Sequence, residues 1–167
     1  NYGPYQYPEK LIPLVLRSAL EGRELPVYGD GGQVRDWIHV DDHCRGLLLA
    51  LKNGRPGSEY NLGTGIGTTN MEMVELVCRA LESERPAAEN ESLRSRAAST
   101  YTELIRQAPD RPGHDRRYAV DSSRIRSELG WECTVPLRSG LQATVRWYLA
   151  HRGWCRDWHG GRLGTAT

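Results

Sequence analysis

The stretch from Asp110 to Asp121 reads Asp-Arg-Pro-Gly-His-Asp-Arg-Arg-Tyr-Ala-Val-Asp, and no regular element can run through its centre. Pro112 fixes φ and lacks an N–H, while Gly113 accepts a positive φ, so the pair predicts a tight bend. Such a bend can bring Arg111 and His114 together. A guanidinium is a planar fork of donors that fits two phosphate oxygens at once. A neighbouring imidazole adds a further donor. The residues describe an anion-binding corner suited to a diphosphate. The alternative is a solvated charged loop closed by its own Asp–Arg pair, the usual state of surface charge runs.

The rest of the chain alternates helical and extended patterns. Asn1 to Pro8 is rich in Pro, Gly and Tyr and reads as an ordered loop. A helix starts near Pro8, with Glu9 in its first turn, Leu11, Leu14, Val15 and Ala19 on one face, and Gly22 as its stop. Residues 25–28 and 34–40 read as extended. Arg35, at the entrance of the second run, can reach a phosphate or pair with Asp36 or Asp30. Asp41 or Asp42 caps a helix over 43–51 whose apolar face carries Cys44, Leu47, Leu48 and Leu51. His43 reads as structural or surface. A short strand is expected over 58–63. The Gly63, Gly65, Gly67 run lacks the spacing of a dinucleotide loop.

Thr69 and Glu72 form a capping box for a helix with Met71, Val74, Cys78 and Leu81 buried. With Thr69 in the cap, the Asn70 amide can turn to a phosphate, a base or solvent. Residues 83–100 are rich in Glu, Arg, Ser and Ala and predict a flexible insertion. Ile125 and Leu129 face inward on a helix stopped by Gly130, and Trp131 packs as an anchor. Pro136 opens the last helix, with Leu137, Leu141, Val145, Tyr148 and Leu149 as its stripe and Gly153 as its end. Residues 154–167 predict a frayed tail.

The 167 residues suffice for one domain, and 22 Lys+Arg against 21 Asp+Glu give a net charge of +1. That balance argues against a nucleic-acid or membrane-surface binder. No apolar run approaches the roughly 18 residues of a membrane span. Cys44, Cys78, Cys133 and Cys155 are far apart and form no Cys-x-x-Cys pair, so no zinc or redox motif is implied. Cys44 and Cys78 read as buried thiols of a reducing cytosol.

Six segments, in order, resemble signatures of the dTDP-glucose 4,6-dehydratases, extended short-chain dehydrogenase/reductases. They are NYGPYQYPEKLIPL (1–14), LPVYGDGGQVRDWIHVDDHCRG (25–46), EYNLG (59–63), TNMEMVELVCRAL (69–81), DRPGHDRRYAVD (110–121) and SELGW (127–131). The resemblance implies an α/β fold: the C-terminal substrate-binding part of an extended short-chain dehydrogenase/reductase, with a few strands and a helix that complete an absent N-terminal Rossmann domain. Residues 1–167 are then a single fragment of a longer polypeptide in which 34–63 returns to that domain. Exposed apolar surface is expected around Trp37, Ile38 and Leu62.

The resemblance also implies a reaction. The family oxidises the sugar C4 hydroxyl with bound NAD, eliminates water across C5–C6 and returns the hydride to C6. This needs a glycine-rich cofactor loop, a Tyr-x-x-x-Lys pair and an acid–base carboxyl pair. None occurs here; Tyr5 is followed by Glu9 and Tyr148 by Arg152 at the critical spacing. The chain alone is therefore expected to be inactive and to carry the nucleotide-sugar half of the site. By resemblance the substrate residues are Lys10, Leu11, Pro26, Val27, Tyr28, Arg35, Asn70, Asp110, Arg111, Pro112, Gly113 and His114, with Asn1 beside the NAD cofactor. The partner implied is dTDP-glucose, in a cytoplasmic enzyme that is a homodimer at full length. Another NAD-dependent sugar-nucleotide epimerase or dehydratase, or a non-catalytic binding remnant, is the alternative.

Overall fold

A computed structural model of the chain describes residues 1–156. The elements run α1 (Leu11–Leu20), β1 (Leu25–Tyr28), β2 (Val34–Asp36), α2 (Val40–Asn53), β3 (Gly67–Thr69), α3 (Asn70–Glu84), α4 (Glu91–Arg94), β4 (Ile105–Ala108), α5 (Ser123–Leu129), α6 (Leu137–Ala150) and α7 (Arg152–Arg156). Two short sheets result. β1 and β4 pair in parallel, Leu25 opposite Ile105 and Tyr28 opposite Ala108. β2 and β3 pair antiparallel, Val34 opposite Thr69 and Asp36 opposite Gly67.

The main core lies among α1, α3 and α6 and closes over β1. Ile12, Val15, Leu16 and Ala19 of α1 meet Val74, Val77 and Leu81 of α3 and Leu141 and Val145 of α6. Each large apolar side chain so buried contributes about 1.5–3 kcal/mol. The capping box starts α3 as its sequence predicts: Thr69 Oγ1 accepts from Glu72 N at 3.1 Å, and Glu72 Oε2 accepts from Thr69 N at 2.8 Å. Gly140 is explained by packing. A Cβ there would overlap the hydroxyl of the buried Tyr2, so close approach outweighs its helix-propensity cost of about 1 kcal/mol.

A second, smaller core holds Ile38, Ile125 and Trp131. Its fastener is Asp42, only 1% exposed. Its carboxylate accepts from Thr134 N at 3.2 Å, Thr134 Oγ1 at 3.0 Å and Val135 N at 3.0 Å, and pairs with Arg45. Its carbonyl accepts from the Trp131 indole at 3.0 Å. One residue of α2 thus holds the whole 131–135 segment.

Several sequence expectations are corrected. α1 begins at Leu11, with Lys10 as cap and no acid in its first turn. Its core face is Ile12, Val15, Leu16 and Ala19, while Leu11 and Leu14 are only half-buried. The cap of α2 is His39, whose Nδ1 accepts from Asp41 N at 3.3 Å, because Asp42 is drawn inward. Cys44, Leu47, Leu48 and Leu51 do not form a buried face; the three leucines are 53%, 55% and 82% exposed. Ile38, expected at exposed surface, is buried, and Trp37 and Leu62 are half-buried. No strand forms over 58–63.

The 83–100 segment is not a loose insertion. It places Ala87 and Leu93 in the main core, and Asn90 Nδ2 donates to Leu20 O at 3.1 Å. Gly153 lies within α7 and not at the end of α6. Of the expected tail, Trp154 packs edge-on to Tyr5, Trp147 and Tyr148, and 157–167 lie outside the described residues.

Burial pushes the Asp42 carboxyl up, but the N–H groups of Val135 and Thr134 and the Arg45 guanidinium outweigh it, leaving it below its ordinary value. A lowered folded pKa means that the contribution is present above the unfolded value and lost as pH falls through the folded one. Asp42→Ala is expected to cost about 3 kcal/mol in urea unfolding at neutral pH. The loss should shrink in acid, where the wild-type carboxyl is protonated as well.

Candidate functional site

The loop before α1, the end of β1, β2, the N-terminus of α3 and the 110–118 loop surround one cleft of about 740 Å³. The 110–118 loop rides on β2, with Val34 N donating to Arg116 O at 2.8 Å and Tyr118 N to Val34 O at 2.9 Å. The N-terminal loop is tied to the strand's far side, Tyr2 N to Ile38 O at 3.0 Å and Val40 N to Tyr2 O at 2.8 Å. Residues more than a hundred positions apart therefore face one space.

Of the residues singled out in the sequence, Asn1, Lys10, Leu11, Pro26, Val27, Tyr28, Arg35, Asn70, Arg111 and His114 line this cleft. Asp110, Pro112 and Gly113 do not. Pro112 and Gly113 form the expected exposed bend, Gly113 at φ 68°. Asp110 stands behind the lining, its carboxylate 2.7 Å from His114 Nδ1. An ionised carboxylate only accepts, so Nδ1 donates to it, and Nε2 can donate to an anion only when the ring carries both protons. The His114 side chain is 5% exposed. Hydrogen bonds from His114 first, and then from Arg111 N, hold the Asp110 carboxyl below its ordinary value.

The cleft's charge depends on where its acids are spent. Arg35 donates to two carbonyls, Val34 O at 2.8 Å and Asp115 O at 3.0 Å, and lies 5.1 Å over the Tyr118 ring. Carbonyls orient a guanidinium without neutralising it. The acids expected as its partners are engaged elsewhere. Asp36 accepts from Thr64 N at 3.0 Å, from the Thr64 hydroxyl and from Gly65 N at 2.9 Å. Asp30 takes both contacts of Arg116, at 2.8 and 3.0 Å, and is held down at about 2 chiefly by that bond. Arg111 stacks 5.3 Å over the Tyr28 ring. Among the described residues neither Arg35, Arg111 nor Lys10 has an ion-pair partner. Three cations thus meet apolar lining from Leu11, Leu14, Pro26, Val27 and Val74.

Gln6, Tyr7, Glu9, Leu14, Asp36, Trp37 and Val74 also line the cleft and were not singled out from the sequence. Helical spacing marks two of them, since Leu14 comes three residues after Leu11 and Val74 four after Asn70. The same geometry explains why Gly63–Gly67 is not a cofactor loop. Its backbone N–H groups at 64 and 65 already grip the Asp36 carboxylate, leaving that nest filled. Asn1 is exposed at the cleft edge. The described residues contain no cluster of three or more His, Cys, Asp or Glu placed for a metal ion.

Comparison with known proteins shows the family of this fold. The family model described as GDP-mannose 4,6 dehydratase matches residues 1–144. A dTDP-glucose 4,6-dehydratase from Xanthomonas campestris is 47% identical over 154 residues, covering 92% of this chain and 42% of its own length. The crystal structure of DesIV, a dTDP-glucose 4,6-dehydratase from Streptomyces venezuelae solved with NAD bound, superposes with a TM-score of 0.75 at 45% identity, covering 92% of this chain and 42% of DesIV. A UDP-glucose 4-epimerase from Thermotoga maritima, solved with UDP-glucose, has a TM-score of 0.71 at 30% identity over 89% of this chain and 43% of its own. The chain spans less than half the length of the relatives it matches.

The Asp110–His114 contact makes a measurable prediction. In a carboxyl ¹³C titration Asp110 should titrate below about 3.9, and His114→Ala should move it back toward that value. An Asp110 curve that His114→Ala leaves in place would contradict the contact.

Proposed function

Because this chain belongs to the GDP-mannose 4,6-dehydratase family, we propose that it forms the nucleotide-sugar half of a dTDP-glucose 4,6-dehydratase. That enzyme converts dTDP-glucose to dTDP-4-keto-6-deoxyglucose and water in deoxysugar synthesis. The observation that carries the reading is the cleft with three cations lacking ion-pair partners, Lys10, Arg35 and Arg111, set beside apolar lining and the oriented His114. A nucleoside diphosphate sugar needs both surfaces: cations for the diphosphate, apolar walls for the base.

In this proposal Arg35 and Arg111 hold the diphosphate through charge-assisted bonds, Asn70 and the imidazolium form of His114 add donors, and Pro26, Val27 and Tyr28 sit against the nucleotide. The binding orients the glucose toward the catalytic groups. Those groups, and the NAD that would take up the hydride and return it, belong to a Rossmann portion outside this chain, with Asn1 at its edge. The exposed Leu47, Leu48 and Leu51 of α2, together with the unpaired 58–63 segment, fit a 34–63 region that completes that portion. We further propose a cytoplasmic homodimer at full length, in keeping with the free thiols of Cys44, Cys78 and Cys133. No helix among the described residues is long and apolar enough to cross a membrane.

The similarity to a UDP-glucose 4-epimerase keeps one second reading, a sugar-nucleotide epimerase of the same superfamily. Product analysis separates the two. The test of the primary reading is calorimetric titration of dTDP-glucose. Arg111→Ala and Arg35→Ala are each expected to weaken binding by about 10- to 150-fold, the equivalent of about 1.5–3 kcal/mol. Binding that both variants leave unchanged would overturn the diphosphate assignment.

A further inference from the structure

Gln33 is 2% exposed and does not line the cleft. A buried amide costs free energy unless it is fully hydrogen-bonded. Here Oε1 has no partner among the described residues, while Nε2 donates to Asp110 Oδ2 at 3.0 Å. Ionised Asp110 can only accept, which fixes the orientation of the amide. A methionine or leucine would fill this position without the unmet oxygen. What the amide adds is one bond, to the carboxylate that holds His114.

The bond completes a relay. Gln33 Nε2 steadies Asp110 Oδ2, and Asp110 Oδ1 takes both His114 Nδ1 at 2.7 Å and Arg111 N at 2.8 Å. The Gln33 carbonyl accepts from Asn70 N at 2.9 Å. Arg35 lies two residues further along, on β2. One buried side chain and its own peptide therefore tie together three walls of the cleft.

We propose that Gln33 is a positioning residue for the nucleoside diphosphate: without touching the ligand it locks the Asp110 carboxylate, and through it the His114 ring and the Arg111 backbone. This rests on the reading of the cleft as a nucleotide-sugar site. The cost and the gain lie in different observables, and that separates the role from ordinary packing.

The experiment compares wild type and Gln33→Met, in the full-length protein, by thermal unfolding, calorimetry with dTDP-glucose and ¹⁵N-histidine NMR at alkaline pH. The expected result is a melting temperature held or raised and affinity lowered about tenfold, the scale of one hydrogen bond to a charged group. The His114 Nδ1 resonance should move as its bond to the Asp110 carboxylate loosens. In a His114→Ala background the same substitution should add less, because the relay has lost one of its two end points. Unchanged affinity in Gln33→Met, or an affinity loss that persists undiminished in His114→Ala, overturns the proposal. If Gln33→Met does not fold, Asp110→Asn tests the same relay, and an unchanged affinity for dTDP-glucose there overturns it. Failure of wild type to bind dTDP-glucose would instead overturn the reading of the site itself.

Discussion

Two aspartates flank Arg35 in sequence, Asp30 and Asp36, and both are committed to other donors. That division leaves Arg35 without an ion-pair partner among the described residues, while Asp36 and Glu9 still line the cleft. Asp36 is wrapped by the Thr64–Gly65 turn, and Asp30 is clamped by Arg116. Each contact is also structural, fixing a turn or closing the 110–118 loop on β2. The fold therefore uses its local acids as braces and leaves Arg35 and Arg111 oriented only by carbonyls and aromatic faces. Such contacts position a guanidinium while keeping its charge available to an incoming anion.

The braces hold because two cores fix the elements they join. The α1–α3–α6 core presents the N-terminus of α3, with Asn70, beside the exposed end of β1. The smaller core, fastened by Asp42, fixes α2 and the 131–135 segment and so the far end of β2. Asp42 illustrates a general trade. A buried carboxylate is tolerated only when its lone pairs are met, and here backbone N–H groups, a hydroxyl and Arg45 meet them.

Much of this was legible in the sequence where local chemistry decides the outcome. The capping box at Thr69, three of the four stripe residues expected in α3 (Val74, Cys78 and Leu81, while Met71 is only half-buried and Met73 and Val77 take its place), the stop at Gly130 and the Pro112–Gly113 bend depend on neighbours a few residues away. The lining residues were named through the family resemblance, which rests on contiguous motifs. The features that escaped reading depend on distant partners. Asp110 carries a binding motif yet serves behind His114, since Gln33, far away in sequence, pulls its second oxygen inward. His39 replaces the aspartates as cap of α2 because the 131–135 segment claims Asp42. The 83–100 segment looks polar, but Ala87, Asn90 and Leu93 meet α1 and α3 from across the fold. The leucines of α2 have helical periodicity, and periodicity alone does not say which element covers them.

The most direct test of the central claim is the structure of the protein with dTDP-glucose bound. The diphosphate oxygens are expected within hydrogen-bond distance of both Arg35 and Arg111, with His114 Nε2 turned toward the ligand and Asp110 still on Nδ1. A diphosphate seated away from both arginines, for example in the neighbouring cleft beside Arg126 and Thr134, would contradict it.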